Sequence, residues 1–132
     1  DRRQRQMCIE TDPEVIDIDC SLESLQKEVE GPIQAVYPWD DEVALICNEE
    51  GKLHDDCMEK LNRTLDGPYG IPIDIIVGTF LIVGLTEDDF GELLPEFVER
   101  YEKMFHQLRK FVTYTDSKGK AHLYVDYCTP EE

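Results

Sequence analysis

Short runs of alternating hydrophobic and polar residues mark most of the strands predicted for this chain. Between Val15 and Asp19, the isoleucines at 16 and 18 alternate with aspartates, which is the period of a strand with one buried face. The stretch Asp74–Gly84 is rich in β-branched residues, which favours core strand over helix, with Gly78 as either a bulge or a tight connection between two strands. Further strands are predicted at Met7–Ile9, Ile33–Tyr37 and Glu42–Cys47.

Two segments have the three- and four-residue spacing of amphipathic helices. Ser21 is placed to cap the first, because its hydroxyl can accept a hydrogen bond from an amide of the first turn. The apolar stripe of this short helix comprises Leu22, Leu25 and Val29. A further helix start is predicted at Thr86, and Pro95 fits the first turn of a longer helix. The stripe of the longer helix comprises Phe97, Val98, Tyr101, Met104, Phe105 and Leu108.

The C-terminal part of the chain has the pattern of a β-hairpin. Two alternating segments, Phe111–Thr115 and Ala121–Tyr127, flank a polar turn that contains Gly119. With the preceding elements, this predicts an α+β fold: a mixed, mostly antiparallel sheet with a short N-terminal helix, a longer C-terminal amphipathic helix and a C-terminal hairpin. We expect a single domain over residues 1–132, with flexible residues 1–6 and a hairpin extension at 111–128.

Charge is the strongest compositional feature of the chain. It has 30 acidic and 13 basic residues, a net charge of −17. From Glu28 to Glu99 there are 18 acidic residues and only three basic ones, namely Lys52, Lys60 and Arg63. Such a field repels nucleic acids and anionic lipids and accelerates encounters with basic surfaces. We therefore expect a protein with a basic surface as partner and no direct nucleic-acid binding; the alternative is that the charge only maintains solubility.

The cysteines and the apolar segments predict a cytoplasmic protein. The five cysteines are an odd number with wide spacings, and no signal-like apolar segment opens the chain, which favours reduced thiols. The longest apolar stretch, Ile75–Leu85, is too short to span a bilayer. No membrane anchor is therefore expected.

Motifs that carry catalytic or metal-binding chemistry are missing from the sequence. His54, Asp55, Asp56 and Cys57 are metal-ligand types, but a tetrahedral zinc site needs about four ligands, and no second ligand pair accompanies them. The glycine-rich phosphate-binding motifs and the serine nucleophile elbow are also absent. We expect no metal and no cofactor, assign no catalytic residue, and conclude that the sequence argues against an enzyme without excluding one.

Trp39 and the carboxylates on either side of the Glu42–Cys47 strand are candidates for partner binding. Trp39 lies between Pro38 and Asp40 in a predicted loop, and tryptophan is a favoured anchor at protein interfaces. The alternative is that its indole closes the end of the core. The candidate contact residues are Trp39, Asp40, Asp41, Glu42, Glu49, Glu50, Asp55, Asp56 and Glu59.

Four sequence blocks carry a resemblance to a known family. They are SLESLQKEVEG from Ser21, IQAVYP from Ile33, VALICNEEGK from Val43 and IIVGTFLIVGL from Ile75. Together they resemble a bacterial domain-of-unknown-function family, number 3846, over about Met7–Phe105. Where that family tends to have paired glycines this chain has Glu30-Gly31, so its helix-to-strand turn is expected to differ, and the C-terminal hairpin is an addition.

The resemblance implies a setting rather than an activity. The family occurs in phage- and plasmid-type accessory proteins and brings no established activity, so it supplies no catalytic residues. It implies a mobile-element setting, in which small acidic proteins often inhibit host defence or other nucleic-acid machinery. That implication comes from the resemblance alone and from no spacing of residues in this chain.

Three functions remain open from the sequence. The first is a non-enzymatic interaction module, whose carboxylates engage a basic surface or mimic the phosphates of nucleic acid, and whose binding weakens steeply with salt. The second is a small-ligand-binding protein or an enzyme, with a pocket near the loop Gly67–Pro72. The third is a self-associating structural protein, a homo-oligomer paired through its terminal hairpin or its longer helix.

Overall fold

Helices and strands combine in a mixed α+β fold, which confirms the predicted fold class. The computed structural model describes residues 3–54, 59–66, 72–87, 89–106 and 109–127. Its α-helices are α1 (Leu22–Val29) and α2 (Pro95–His106), and a short 3₁₀ helix covers Gly51–Leu53. The strands in chain order are β1 (Arg3–Ile9), β2 (Pro13–Asp19), β3 (Ile33–Val36), β4 (Val43–Asn48), β5 (Leu61–Asp66), β6 (Pro72–Val77), β7 (Phe80–Leu85), β8 (Phe90–Gly91), β9 (Arg109–Thr115) and β10 (Ala121–Tyr127).

Six strands form the main sheet, and every neighbouring pair within it is antiparallel. The order is β2-β1-β7-β4-β3, and β8 also pairs with β7. Along one edge of β7, Ile82 pairs with Met7 of β1, and Gly84 pairs with Gly91 of β8. The β5–β6 and β9–β10 hairpins are separate two-stranded sheets, and β9 contacts β5. The C-terminal hairpin is thus confirmed.

The hydrophobic core has two layers, one on each face of the main sheet. In β4, Val43 and Leu45 belong to the layer that contains α2. The intervening Ala44 and Ile46 belong to the layer that contains α1. Because a helix covers each face, β4 and β7 are buried on both sides. Their sequences are therefore continuous hydrophobic runs, without the alternation of a strand that has one exposed face.

Helix α1 begins where the sequence predicts, and Glu30 forms its C-cap. The Ser21 Oγ accepts a hydrogen bond from the Ser24 amide at 3.3 Å, which confirms the N-cap. Leu25 and Val29, four residues apart, are buried against the sheet, but Leu22 in the first turn is 58% exposed, so its assignment to the apolar stripe is wrong. The residue with left-handed backbone at the C-cap is Glu30, with φ 63° and ψ 36°.

Gly78 provides the tight connection between β6 and β7, which resolves the alternative left open by the sequence. Its φ of 77° lies in the left-handed region that glycine adopts without strain. The chain therefore turns within two residues between two strands of different sheets. A single uninterrupted strand over residues 74–84 is excluded by this turn.

Two local predictions differ from the structure. Residues 1–6 were expected to be flexible. Residues 1 and 2 lie outside the described residues, and residues 3–6 belong to β1, whose backbone pairs with β2 from Arg3 onward. No helix starts at Thr86. Its hydroxyl donates to the Asp89 carbonyl at 2.9 Å and accepts from the Asp89 amide at 3.1 Å, so the local hydrogen bonds form a turn between β7 and β8. Of the stripe predicted for α2, Met104 is 41% exposed, and Leu108 lies outside the described residues.

Candidate functional site

The residues predicted for partner binding lie at opposite ends of β4. Asp40 and Glu42 precede the strand, whereas Glu49 and Glu50 follow it. Six residues of strand separate the two groups by about 20 Å, given about 3.3 Å per residue. Glu59 lies near the second group, and Asp55 and Asp56 lie outside the described residues. The predicted residues therefore form two separate groups of carboxylates, which one small binding surface on a partner could not contact at the same time.

Trp39 packs on α2. Its ring centroid lies 4.5 Å from that of Tyr101 and 6.0 Å from that of Phe105. The indole is half-buried and adjoins the core layer of α2. This is the arrangement that the alternative interpretation expects, in which the indole closes one side of the core.

Asp41 is engaged within the molecule. Its carboxylate forms an ion pair with Arg100 and accepts a hydrogen bond from the Tyr101 hydroxyl at 2.6 Å. The hydrogen bonds from Arg100 and then Tyr101 lower the pKa of Asp41, and burial together with the adjacent carboxylate raises the pKa of Tyr101. Asp41 thus anchors the segment before β4 to α2 and leaves Asp40 and Glu42 as the exposed carboxylates of that segment.

We expect Asp41→Asn to destabilise the protein in a pH-dependent way. At pH 7 the loss of a charged hydrogen-bond acceptor should lower the free energy of unfolding by about 1 kcal/mol. Because the folded-state pKa is depressed, the carboxylate stabilises the fold above the unfolded-state pKa, near about 4, and this contribution is lost as pH falls through the folded pKa. Urea unfolding at pH 7 and pH 3 should show the gap between variant and wild type narrowing in acid. Exposed Asp40→Asn is the matched control, and an equal gap at both pH values would contradict the role of Asp41.

Turns from several elements meet at one end of the main sheet, which we call the acidic end. Ile9 at the end of β1 pairs with both Pro13 and Phe80, so the β1–β2 turn lies beside the start of β7. Asn48 at the end of β4 donates to the Glu30 carbonyl at 3.3 Å, which brings in the end of α1. Among the described residues, the carboxylates of these segments and of the segment before β5 are Glu10, Asp12, Glu14, Glu28, Glu30, Glu49, Glu50 and Glu59.

Basic residues are fewer than carboxylates at the acidic end. The segment before β5 joins it through the Gly78 amide, which donates to the Lys60 carbonyl at 2.7 Å. The lysines of these segments are Lys27, Lys52 and Lys60, and Lys52 forms an ion pair with Asp74 of β6. The buried Arg63 is a fourth basic residue here, because its guanidinium donates to the Thr11 carbonyl of the β1–β2 turn. Among the described residues, four basic side chains therefore accompany eight carboxylates, and all of these carboxylates except Glu28 are exposed.

Cys8 lies close to three of the carboxylates of the acidic end. Burial first, and then the charges of Glu28, Glu10 and Glu14, raise its pKa to about 11. Carboxylates from the β1–β2 turn, from β2 and from α1 thus act together on one thiol. Burial is also the largest cause of the raised pKa of Cys20 and of Cys47, so these three thiols are protonated at neutral pH and are weak nucleophiles.

A cleft between the loop before β4, strand β5 and helix α2 is the second surface feature. Its volume is about 320 Å³, and its lining comprises Trp39, Arg63, Thr64, Leu65, Asp66, Met104 and Phe105. The Arg63 side chain is buried, at 2% exposure. No pattern in the sequence singles out Arg63 as a buried residue, because it lies two residues before Leu65 on a segment with no clear period. The loop at 67–71, near which a pocket was predicted, lies outside the described residues, and β5 leads into it.

Within the described part of the chain, no group of three or more His, Cys, Asp or Glu residues is placed to hold a metal ion. Cys57, Asp55 and Asp56 fall outside that part, so the metal-ligand types beside His54 are not placed. None of the described helices has the length and apolar character needed to cross a membrane.

These features define a small acidic α+β domain built on an antiparallel sheet with a helix on each face. The chain belongs to the family described as Domain of unknown function (DUF3846), whose model matches residues 6–106. The match runs from β1 to the last residue of α2 and leaves the β9–β10 hairpin outside it. Comparisons with curated proteins and with solved structures give no significant match.

Proposed function

We propose that this protein is a cytoplasmic, non-enzymatic interaction module that binds a basic protein surface through its acidic end. The observation that carries the proposal is the convergence there of eight described carboxylates from four segments, against three lysines and the buried Arg63. In the mobile-element setting implied by the sequence resemblance, the module would inhibit host machinery by occupying a surface that normally binds phosphates.

Exposure and position favour the acidic end over the other carboxylates. Glu49, Glu50 and Glu59 are exposed and lie in turns or beside strand ends, where a flat partner surface can reach several of them at once. By contrast, Asp41 and Asp74 already form ion pairs within the molecule. Unpaired surface charges act over about 10 Å at 0.1 M salt, so neighbouring carboxylates reinforce one another toward a basic partner.

The experiment compares two triple variants that remove the same charge from opposite ends of the molecule. One carries Glu49→Gln, Glu50→Gln and Glu59→Gln at the acidic end. The control carries Asp40→Asn, Glu42→Gln and Glu87→Gln, which are also exposed residues but lie at the other end of β4 and β7. Both have the same net charge, so any difference between them depends on where the charge lies.

A decalysine peptide is the probe, and its affinity is measured at about 50 mM and about 500 mM salt. We expect the acidic-end variant to bind about tenfold more weakly than wild type at low salt, and the control less than about threefold. High salt should abolish most of the binding. Equal losses in the two variants, or binding that salt does not weaken, would refute the proposed surface.

A further inference from the structure

Strand β2 is an edge strand of the main sheet. It pairs with β1 on one side, and among the described residues no strand pairs with it on the other. The backbone of β1 shows which groups of β2 lie at this outer edge. The Arg5 carbonyl accepts from the Leu93 amide at 2.9 Å, and the Arg5 amide donates to the Glu92 carboxylate at 3.4 Å, so both groups of Arg5 point away from β2.

The N–H and C=O groups of Val15 and Asp17 point outward from β2. Arg5 lies opposite Asp17, and two residues opposite each other in an antiparallel pair either both bond across the ladder or both point away from it. Val15 is two residues from Asp17, so its groups share this direction, whereas those of Ile16 and Ile18 bond to β1. The outer edge of β2 is thus a row of backbone groups that can pair with a further strand.

Arg3 occupies one acceptor of this outer edge. Its guanidinium donates to the Asp17 carbonyl, from Nε at 3.1 Å and from Nη2 at 2.6 Å, which agrees with an outward carbonyl. The contact is exposed to solvent, so an N–H of an added strand can replace the guanidinium at the same oxygen. The outward N–H groups of Val15 and Asp17 take no part in this contact.

Carboxylates outnumber cations around the outer edge of β2. The described charged side chains of β2 and of the adjoining depression beside α1 are Glu14, Asp17, Asp19 and Glu28, against Arg3 and Lys27. Arg5 is directed to the other edge of β1, where its guanidinium donates to the Leu93 carbonyl at 3.1 Å. Because the balance is negative, a second copy of β2 paired here would bring like charges together, whereas a basic strand is attracted.

The two faces of β2 differ in polarity. Ile16 and Ile18 are half-buried and pack on the core layer that contains α1. Val15 and Asp17 are on the opposite face, where both are exposed. Side chains of an added strand would lie beside those of β2 on each face. Hydrophobic residues suit the isoleucine face, and basic residues suit the face that carries Asp17.

We propose that the outer edge of β2 binds an extended segment of a partner protein, in which lysine or arginine alternates with hydrophobic residues. The segment adds to the main sheet as an antiparallel strand. Backbone hydrogen bonds to Val15 and Asp17 supply affinity, and the alternation sets the register. In that register the basic residues lie opposite Val15 and Asp17, so the amides of the basic residues bond to β2. This mode of binding goes beyond attraction to the acidic end, because it requires a strand in the partner.

The probe is a peptide as long as β2 in which lysine and valine alternate. Two isomers of equal charge carry the same number of backbone N-methyl groups, one on its central lysine amides and the other on its central valine amides. We expect the lysine-methylated isomer to bind about tenfold more weakly than the valine-methylated one, because its methyl groups face β2. In the complex, the Val15 and Asp17 amides should exchange with solvent about tenfold more slowly, and those of Ile16 and Ile18 should not change.

Val15→Pro removes one outward donor and no hydrogen bond to β1, a change that edge strands tolerate. It should weaken binding of the valine-methylated peptide about tenfold, whereas Val15→Thr, which keeps the amide and a branched side chain, should bind as wild type does. If Val15→Pro does not fold, the two isomers still decide. The acidic-end triple variant should bind this peptide within about threefold of wild type, so this inference and the proposed function can fail separately.

Three results would overturn the proposal. The first is equal binding of the two isomers, which would leave only an attraction between charges. The second is a folded Val15→Pro that binds as tightly as Val15→Thr. The third is protection of the Val15 and Asp17 amides that rises with protein concentration in the absence of peptide, because the occupant of the outer edge would then be a second copy of this chain.

Discussion

Gly84→Ala is expected to lower the free energy of unfolding by about 3 kcal/mol, the largest effect predicted here for a single methyl group. A Cβ at this position would overlap the Glu92 carbonyl oxygen and would lie 2.8 Å from that of Gly91. Both atoms belong to the backbone, which cannot move aside without breaking the pairing of β8 with β7. Urea unfolding followed by circular dichroism measures the loss.

Gly91→Ala provides the matched control on the partner strand. Its Cβ would meet the Thr86 Cγ2 at 2.5 Å, which is a side-chain methyl and not backbone. Adding Thr86→Ser removes that methyl and keeps the hydroxyl that bonds to Asp89, so the double variant should recover stability. No comparable truncation exists for Gly84→Ala. A loss below about 1 kcal/mol for Gly84→Ala would contradict the close approach of the two segments.

Gln6→Leu is expected to lower the free energy of unfolding by about 3 kcal/mol, because it leaves two buried backbone groups without the hydrogen bonds that the Gln6 side chain makes to them. Gln6 is fully buried; its Oε1 accepts from the Gly84 amide at 3.1 Å, and its Nε2 donates to the Gly91 carbonyl at 2.8 Å. The same Nε2 lies 3.0 Å from the Cys20 sulfur. Leucine fills a similar volume and satisfies none of these groups, so unfolding should occur at a lower urea concentration.

Hydrogen exchange identifies the reason for that loss. The Gly84 amide should exchange faster in Gln6→Leu, since its acceptor is gone. Gln4→Leu, two residues earlier on the same strand and only half-buried, is the control and should change stability by less than about 0.5 kcal/mol. Unaltered protection of Gly84 in Gln6→Leu would show that the amide does not bridge the two strands.

Gln6 and Gly84 together explain how two strands, β1 and β8, pair with the same edge of β7. Strand β1 pairs with β7 at Met7 and then diverges, and β8 takes its place beside Gly84. The side-chain amide of Gln6 fills the gap between them with the hydrogen bonds that a ladder would otherwise supply. The backbone of Arg5 continues the link, because its carbonyl accepts from the Leu93 amide at 2.9 Å.

Local elements of this fold could be predicted because their causes are local. The cap at Ser21, the turn at Gly78, the helix that begins at Pro95 and the terminal hairpin each depend on residues within a few positions. The helix start predicted at Thr86 was wrong because it, too, was inferred from neighbouring residues alone. A hydroxyl followed by acidic residues is compatible with a turn as well as with a helix cap.

Contacts between distant segments decided what the polar residues do. Gln6 and Arg63 look like surface residues in the sequence, yet both are buried, because their partners lie 78 and 42 residues away at Gly84 and Phe105. The β1–β2 turn, whose carboxylates join the acidic end, was not among the predicted contacts. Only the pairing of β1 with β7 brings it beside the end of β4.

By itself the sequence determined the family, the α+β class and the sign of the electrostatic field, since these depend on residue order, periodicity and composition. Only the tertiary structure decided where that field is concentrated and which carboxylates form ion pairs within the molecule. Asp40, Asp41 and Glu42 are adjacent in the chain, but Asp41 alone reaches Arg100. The physical reason is that charge is a property of the residue, whereas its neighbours in space are set by strand pairing over long separations.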